Sequence, residues 1–167
     1  MAVPTWVPGQ VLAAADVNNW FVPLVAYKTS NQSVTSSTTL VNDNALSLAV
    51  AANAVYRMEL GMTYTADTAG DIKIAWTTPA SSTIAQAVCM GLSTTAATSS
   101  DDFTVGASSA PPFGGIGAGS PAATLYIFIF TTAGTAGTLQ LQWAQNTSSA
   151  TATTVQTGSY LIGQRVG

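Results

Sequence analysis

Val55-Tyr56-Arg57-Met58-Glu59-Leu60-Gly61-Met62-Thr63-Tyr64-Thr65 decides the fold class. Tyr56, Met58, Leu60, Met62 and Tyr64 occupy every second position, and Arg57, Glu59, Gly61, Thr63 and Thr65 fill the gaps. Side chains alternate across a strand with period two, so this stretch reads as a strand with one apolar face. Asp71–Thr77 repeats the pattern, with Ile72, Ile74 and Trp76 against Lys73 and Ala75. Thr138–Ala144 does so again, with Leu139, Leu141 and Trp143 against Gln140 and Gln142. Further strands are expected at Ala26–Thr29, Ser33–Leu40, Leu46–Val50, Ile84–Met90, Asp102–Val105 and Ser159–Val166. Turn signals separate them at Asn42-Asp43-Asn44, Ala69-Gly70-Asp71, Thr78-Pro79 and Ala133–Gly137. Roughly eight to ten strands at this spacing indicate an all-β antiparallel sandwich or barrel.

One strand breaks the alternation. Thr124–Thr131 contains Leu125-Tyr126-Ile127-Phe128-Ile129-Phe130, apolar on both faces. Such a strand is covered on both faces. A two-sheet sandwich covers only the inner face, so the outer face needs the N-terminal helix or another copy of the chain. Tyr126, Phe128 and Phe130 are the expected subunit contacts.

Residues 1–24 differ from the body, 25–167. Met1–Gly9, with Pro4, Pro8 and Trp6, suits an extended arm. Val11–Phe21 reads as a short helix: Ala13, Ala14 and Ala15 favour it, and Asp16 suits its positive N-terminal end. Val17, Trp20 and Phe21 form one apolar stripe, and Pro23 ends the segment. A helix this short needs something to dock on. It could dock on its own domain, but aromatic anchors on a detached arm suit an interface, so Trp6, Val17, Trp20 and Phe21 are expected to grip a neighbouring subunit.

Composition narrows the function. Charged residues are 7% of the 167, against about 25% for ordinary soluble domains. Net charge is −3, and Lys28, Arg57, Lys73 and Arg165 are scattered, so no basic face for nucleic acid is expected. The longest strongly apolar run, Leu125–Phe130, is far short of the ~20 residues of a membrane helix. Met1–Phe21 lacks the basic and apolar regions of a signal peptide. Phe103–Gln164 contains no charged residue, and interface cores are poor in charge, so subunit contact is expected there.

Enzyme chemistry is hard to find. The chain has no histidine, which excludes Ser-His-Asp and Cys-His arrangements. A Ser-Lys pair would need Lys28 or Lys73, and Lys73 alternates outward. Asp101 and Asp102 are neighbours on an extended chain and point apart. Asn42-Asp43-Asn44 and Asp67/Asp71 carry oxygens but lack the spacing of a calcium loop, and Asx clusters serve turns more often. The lone Cys89 packs as a small apolar residue and allows no internal disulfide. Gly114-Gly115-Ile116-Gly117 lacks the Lys-Ser/Thr of a phosphate loop. No catalytic residue, metal or cofactor is expected. The small-residue stretch Gly91–Ala123 reads as a long functional or mobile loop, and Asn146–Thr154 as a long turn.

Trp6-Val7-Pro8-Gly9-Gln10-Val11-Leu12-Ala13-Ala14-Ala15-Asp16-Val17-Asn18 resembles a segment near the N-terminus of many tailed-bacteriophage virion proteins. That pattern has Thr where this chain has Ala13, and the Thr would cap the helix, so a weaker helix start is expected here. Ala26–Thr29, Ser36–Leu40, Ala54–Leu60 and Leu139–Asn146 look like β-sandwich virion proteins of phages infecting actinobacteria. The resemblance implies a jelly-roll-like domain that assembles as a homotrimer on the particle, as head decoration or as a minor tail component. It offers no catalytic residues. The leading expectation is therefore a capsid decoration protein on the outer surface of the virion head, meeting itself and the major capsid protein or other virion proteins, with no nucleic acid or membrane partner. The alternative is a tail or tail-fibre component that binds host glycan through aromatics of the long loop, such as Phe113, or through other residues of Gly91–Ala123; Phe103 is the loop's other aromatic.

Overall fold

A strand with one apolar face needs a second apolar layer, and this chain supplies it by sending successive strands to opposite sheets. The computed structural model describes residues 6–94, 99–104 and 112–167. A helix, α1 (Ala14–Trp20), precedes β1 (Leu24–Tyr27), β2 (Gln32–Val34), β3 (Val41–Val50), β4 (Val55–Thr65) and β5 (Ile72–Thr77). Then come β6 (Thr83–Leu92), β7 (Ser99–Thr104), β8 (Pro121–Thr131), β9 (Gly137–Gln145), β10 (Thr153–Val155) and β11 (Tyr160–Arg165). The large sheet runs β1-β11-β4-β8-β6-β7, with β10 between β4 and β2; the small sheet is β3-β9-β5. All ladders are antiparallel. The chain changes sheet between β2 and β3, at each step from there to β6, and again on either side of β9. The result is a jelly-roll-like antiparallel β-sandwich with a short N-terminal helix.

The deciding strand behaves as its alternation requires. Tyr56, Met58, Leu60, Met62 and Tyr64 of β4 are all buried. Leu60 lies between Tyr126 of β8 and Leu161 of β11, so the three form one inward row. From the small sheet, Ile72, Ile74, Leu139, Leu141 and Trp143 close the core. Trp76 of β5 reaches across, its ring centroid 5.0 Å from Phe128 and 6.3 Å from Tyr126. Cys89 is a buried core residue.

Several expected boundaries change. The helix covers Ala14–Trp20, not Val11–Phe21: Ala13 is its N-cap and makes no side-chain cap bond. Asn42-Asp43-Asn44 does not end a strand but lies within β3, where the register shifts between Asn42 and Ser47. Asp43 Oδ1 accepts from the amides of Ala45 and Leu46, both at 2.9 Å, so the Asx turn bulges the strand without terminating it. β2 stops at Val34, short of the expected Leu40, because Ser36 takes φ 53 and leaves the extended region. The expected long turn Asn146–Thr154 contains the start of β10. The expected loop Gly91–Ala123 yields the end of β6, the β7 strand and the start of β8. Residues 95–98 and 105–111 of that stretch lie outside the described residues, as do 1–5 of the arm. The first strand begins at Leu24, one residue before the expected start of the body.

Candidate functional site

The arm is the least covered part of the described chain. Val7, Pro8, Gly9 and Gln10 form a turn closed by Gln10 N–H donating to Val7 O at 3.1 Å. Gly9 has φ 85, which suits the third position of a type II turn after Pro8. Beyond it Val11 is 87% exposed, and Leu12 and Val22 are also exposed. Helix α1 is held to the end of β11. Gln164 Nε2 donates to Trp20 O at 2.8 Å, and the Arg165 guanidinium lies 4.7 Å over the Trp20 ring. Trp6, Val17 and Trp20 are half-buried, while Phe21 is 62% exposed. The expected stripe is therefore divided: Trp20 contacts its own domain and Phe21 faces solvent.

The three residues expected as subunit contacts lie on the inner face of β8. Tyr126, Phe128 and Phe130 have no exposure and sit in the chain's own core, so they do not present a face to another subunit. Leu125, Ile127 and Ile129 alternate with them on the outer face and are only partly covered. The alternation was hidden because both faces of β8 are apolar.

Pairing places neighbours around that outer strip. Ile127 pairs with Glu59 of β4 and Val88 of β6, Ile162 of β11 pairs with Glu59, and Val25 of β1 pairs with Ile162. Glu59 of this row pairs at 3.2 Å with Arg57, which lies opposite Ile129 in the adjacent row. Glu59 Oε1 also accepts from Tyr160 Oη at 3.1 Å. Burial, then that hydrogen bond and the charge of Glu59, push the Tyr160 phenol up in pKa. The Tyr160 ring lies flat over Gly61, where any Cβ would overlap it. Beside it an apolar groove of about 680 Å³ is lined by Gly61, Met90, Leu92, Ile116, Leu125 and Tyr160.

The residues after 111 are tied down. Phe113 is buried and bridges Ile72, with amide-to-carbonyl bonds of 2.8 and 3.0 Å in both directions. Its ring is therefore not open to stack on a sugar, which removes it as a glycan contact; the side chain of Phe103 lies outside the described residues. Tyr64 Oη donates to Gly114 O at 2.7 Å, and Gly115 N–H donates to Asp71 Oδ1 at 2.9 Å. Burial, then the charge of Asp71, raises the Tyr64 pKa. Burial raises that of Asp71; the Gly115 bond opposes this, and the charge of Asp67 adds to it. These carboxylates anchor a loop. Among the described residues no three of His, Cys, Asp and Glu gather as a metal site.

A polar cluster that sequence reasoning missed lies between the sheets. Lys28, just past β1, is fully buried, and its Nζ pairs with Asp43 at 2.9 Å. The pair joins residues 15 apart on different sheets, and no local pattern announces it.

No family model matches this chain. No curated protein matches it. Among solved structures, it is similar to the tripod (BppUct-A-L) from the baseplate of bacteriophage Tuc2009. The TM-score is 0.37 at 12% identity, over 96% of this chain and 73% of that one. No part of the functional reading rests on that likeness.

Proposed function

We propose that this chain is a non-enzymatic structural protein of a tailed-phage virion, a homotrimeric capsid decoration protein on the outside of the head. The observation that carries the assembly reading is the arm, whose apolar side chains Val11, Leu12, Phe21 and Val22 stand exposed. Exposed apolar residues clustered on one segment suit docking onto a neighbour. The outer face of β8 adds a second apolar surface, where Leu125, Ile127 and Ile129 border the self-paired Arg57 and Glu59. Among the described side chains bordering it, these two charges are paired with each other, which fits a subunit contact. The virion assignment itself is supported by the resemblance of Trp6–Asn18 to the N-terminal segment of phage virion proteins. In this reading the outer sheet face joins the three copies, and the arm binds the major capsid protein.

Antibody labelling of purified virions tests the location. Label over the head supports decoration. Label over the tail replaces it with the tail-component reading, and unlabelled particles remove the virion reading altogether. A chain lacking residues 1–22 should fold and fail to bind particles; a truncated chain that still decorates them removes the arm as anchor.

A further inference from the structure

We propose that Lys28 and Asn44 form an intramolecular isopeptide bond, with Asp43 transferring the proton. Lys28 Nζ lies 2.5 Å from Asn44 Oδ1, and 2.9 and 3.1 Å from the two oxygens of Asp43. An amine, a carboxamide and a carboxylate thus meet at one atom. The side chains of Lys28 and Asp43 are both at 0% exposure. Lysine is almost never buried so fully unless it is paired, as Lys28 is with Asp43. The three N–H donors of the ammonium meet Asp43, Asn44 and Gln32, and of the two carboxamides Asn44 is the nearer.

The three groups are fixed from outside. Lys28 N–H donates to Ser159 O at 2.9 Å, and Lys28 O accepts from Gly158 N–H at 2.9 Å and Thr157 Oγ1 at 3.0 Å. Asp43 Oδ1 accepts from the amides of Ala45 and Leu46, and Oδ2 from Trp143 Nε1 at 3.2 Å. Gln32, the other amide near Nζ, lies farther away at 3.4 Å. It is held at both ends: Oε1 accepts from Asn44 N–H and Nε2 donates to Asn42 O. Among the described residues, the side chain of Asn44 has a hydrogen bond from Lys28 and no other. Positioning of this kind turns a sluggish aminolysis into a unimolecular step.

The reaction balances without oxidant or cofactor. A proton passes from Lys28 Nζ to Asp43, and the neutral amine attacks Cγ of Asn44. The bond from Nζ to Cγ forms and the bond from Cγ to Nδ2 breaks. Asp43 passes that proton to Nδ2 and takes the second proton from Nζ; the leaving ammonia carries it away as ammonium, so Nζ keeps one hydrogen as the new amide N–H and Asp43 ends ionised. General acid–base transfer by a positioned carboxylate is the ordinary means for such a step. The product would tie the end of β1 in the large sheet to β3 in the small one. A chain with the single Cys89 cannot make that tie with an internal disulfide.

Intact mass of the full-length protein, denatured after incubation at neutral pH, decides the matter. The expected mass is the sequence mass less one ammonia, with a digest fragment joining the peptides of Lys28 and Asn44. Lys28→Arg should restore the full mass. A wild-type chain at its full sequence mass overturns the proposal. So does a loss that persists in Lys28→Arg, which marks ring closure at an asparagine, or a loss of water, which places the bond on Asp43. Asp43→Asn should stay unlinked, and a linked variant overturns the role of Asp43. If that variant does not fold, the wild-type mass and Lys28→Arg still decide the bond.

Discussion

Asp71 occupies φ 51 and is 6% exposed, with one oxygen bound to the Gly115 amide. Its pKa lies above the ordinary 3.8 in the folded chain, chiefly through burial. Below 3.8 both folded and unfolded chains hold the proton, and the site costs nothing. As pH rises through the higher folded value, ionisation is harder in the folded chain and stability is lost. Asp71→Asn keeps an acceptor for Gly115 and suits a positive φ. We expect its Tm at pH 7 to exceed wild type by about 1–3 °C, with the gap closing toward pH 3. An equal gap at both pH values would remove the ionisation argument. Gly61 is constrained differently, since the Tyr160 ring occupies the place of a Cβ. Gly61→Ala should displace Tyr160 from Glu59 and cost about 1–3 kcal/mol in urea unfolding. An unchanged midpoint would show that the ring moves freely.

At the scale of elements, the alternating strands were legible because period two survives any tertiary context. β4 runs from Val55 to Thr65, as its pattern indicates. Polar and small-residue segments were not legible. Asn42-Asp43-Asn44 has the composition of a turn, yet Asp43 folds the Asx geometry into a bulge of β3 and turns its carboxylate onto Lys28. The strand expected at Asp102–Val105 is β7, which begins earlier, at Ser99: the residue types of Ser99-Ser100-Asp101 argue against a strand, and pairing with β6 overrides them. On β8 the sequence showed two apolar faces but not which face the domain itself covers. Helix α1 confirms one local reading, for Ala13 leaves the first amides without a side-chain cap. Ala13→Ser would place a hydroxyl in reach of the amides of Ala15 and Asp16 and stabilise the helix by about 0.5–1 kcal/mol. Hydrogen exchange should slow across Ala14–Trp20, while global Tm stays unchanged. Faster or equal exchange would mean that the helix is held by Trp20 alone.

At the scale of the molecule, the charge deficit takes in the partly covered apolar strip of β8. Phe103–Gln164 has no charged side chain, and it includes β8 and β9. β9 lies in the small sheet's centre and fills the core with Leu139, Leu141 and Trp143. β8 lies within the large sheet and turns Leu125, Ile127 and Ile129 outward. Part of the deficit therefore serves the interior, and part leaves a face suited to other copies. Ile127 is the residue on which this rests, because it pairs with Glu59 and Val88 in the middle of that face. The direct measurement is the native mass of the full-length chain at micromolar concentration in dilute buffer, beside Ile127→Glu. We expect a trimer for the wild type and a folded monomer for the variant. A wild-type chain that stays monomeric, or an Ile127→Glu chain that remains trimeric, would contradict assembly through the outer face of β8.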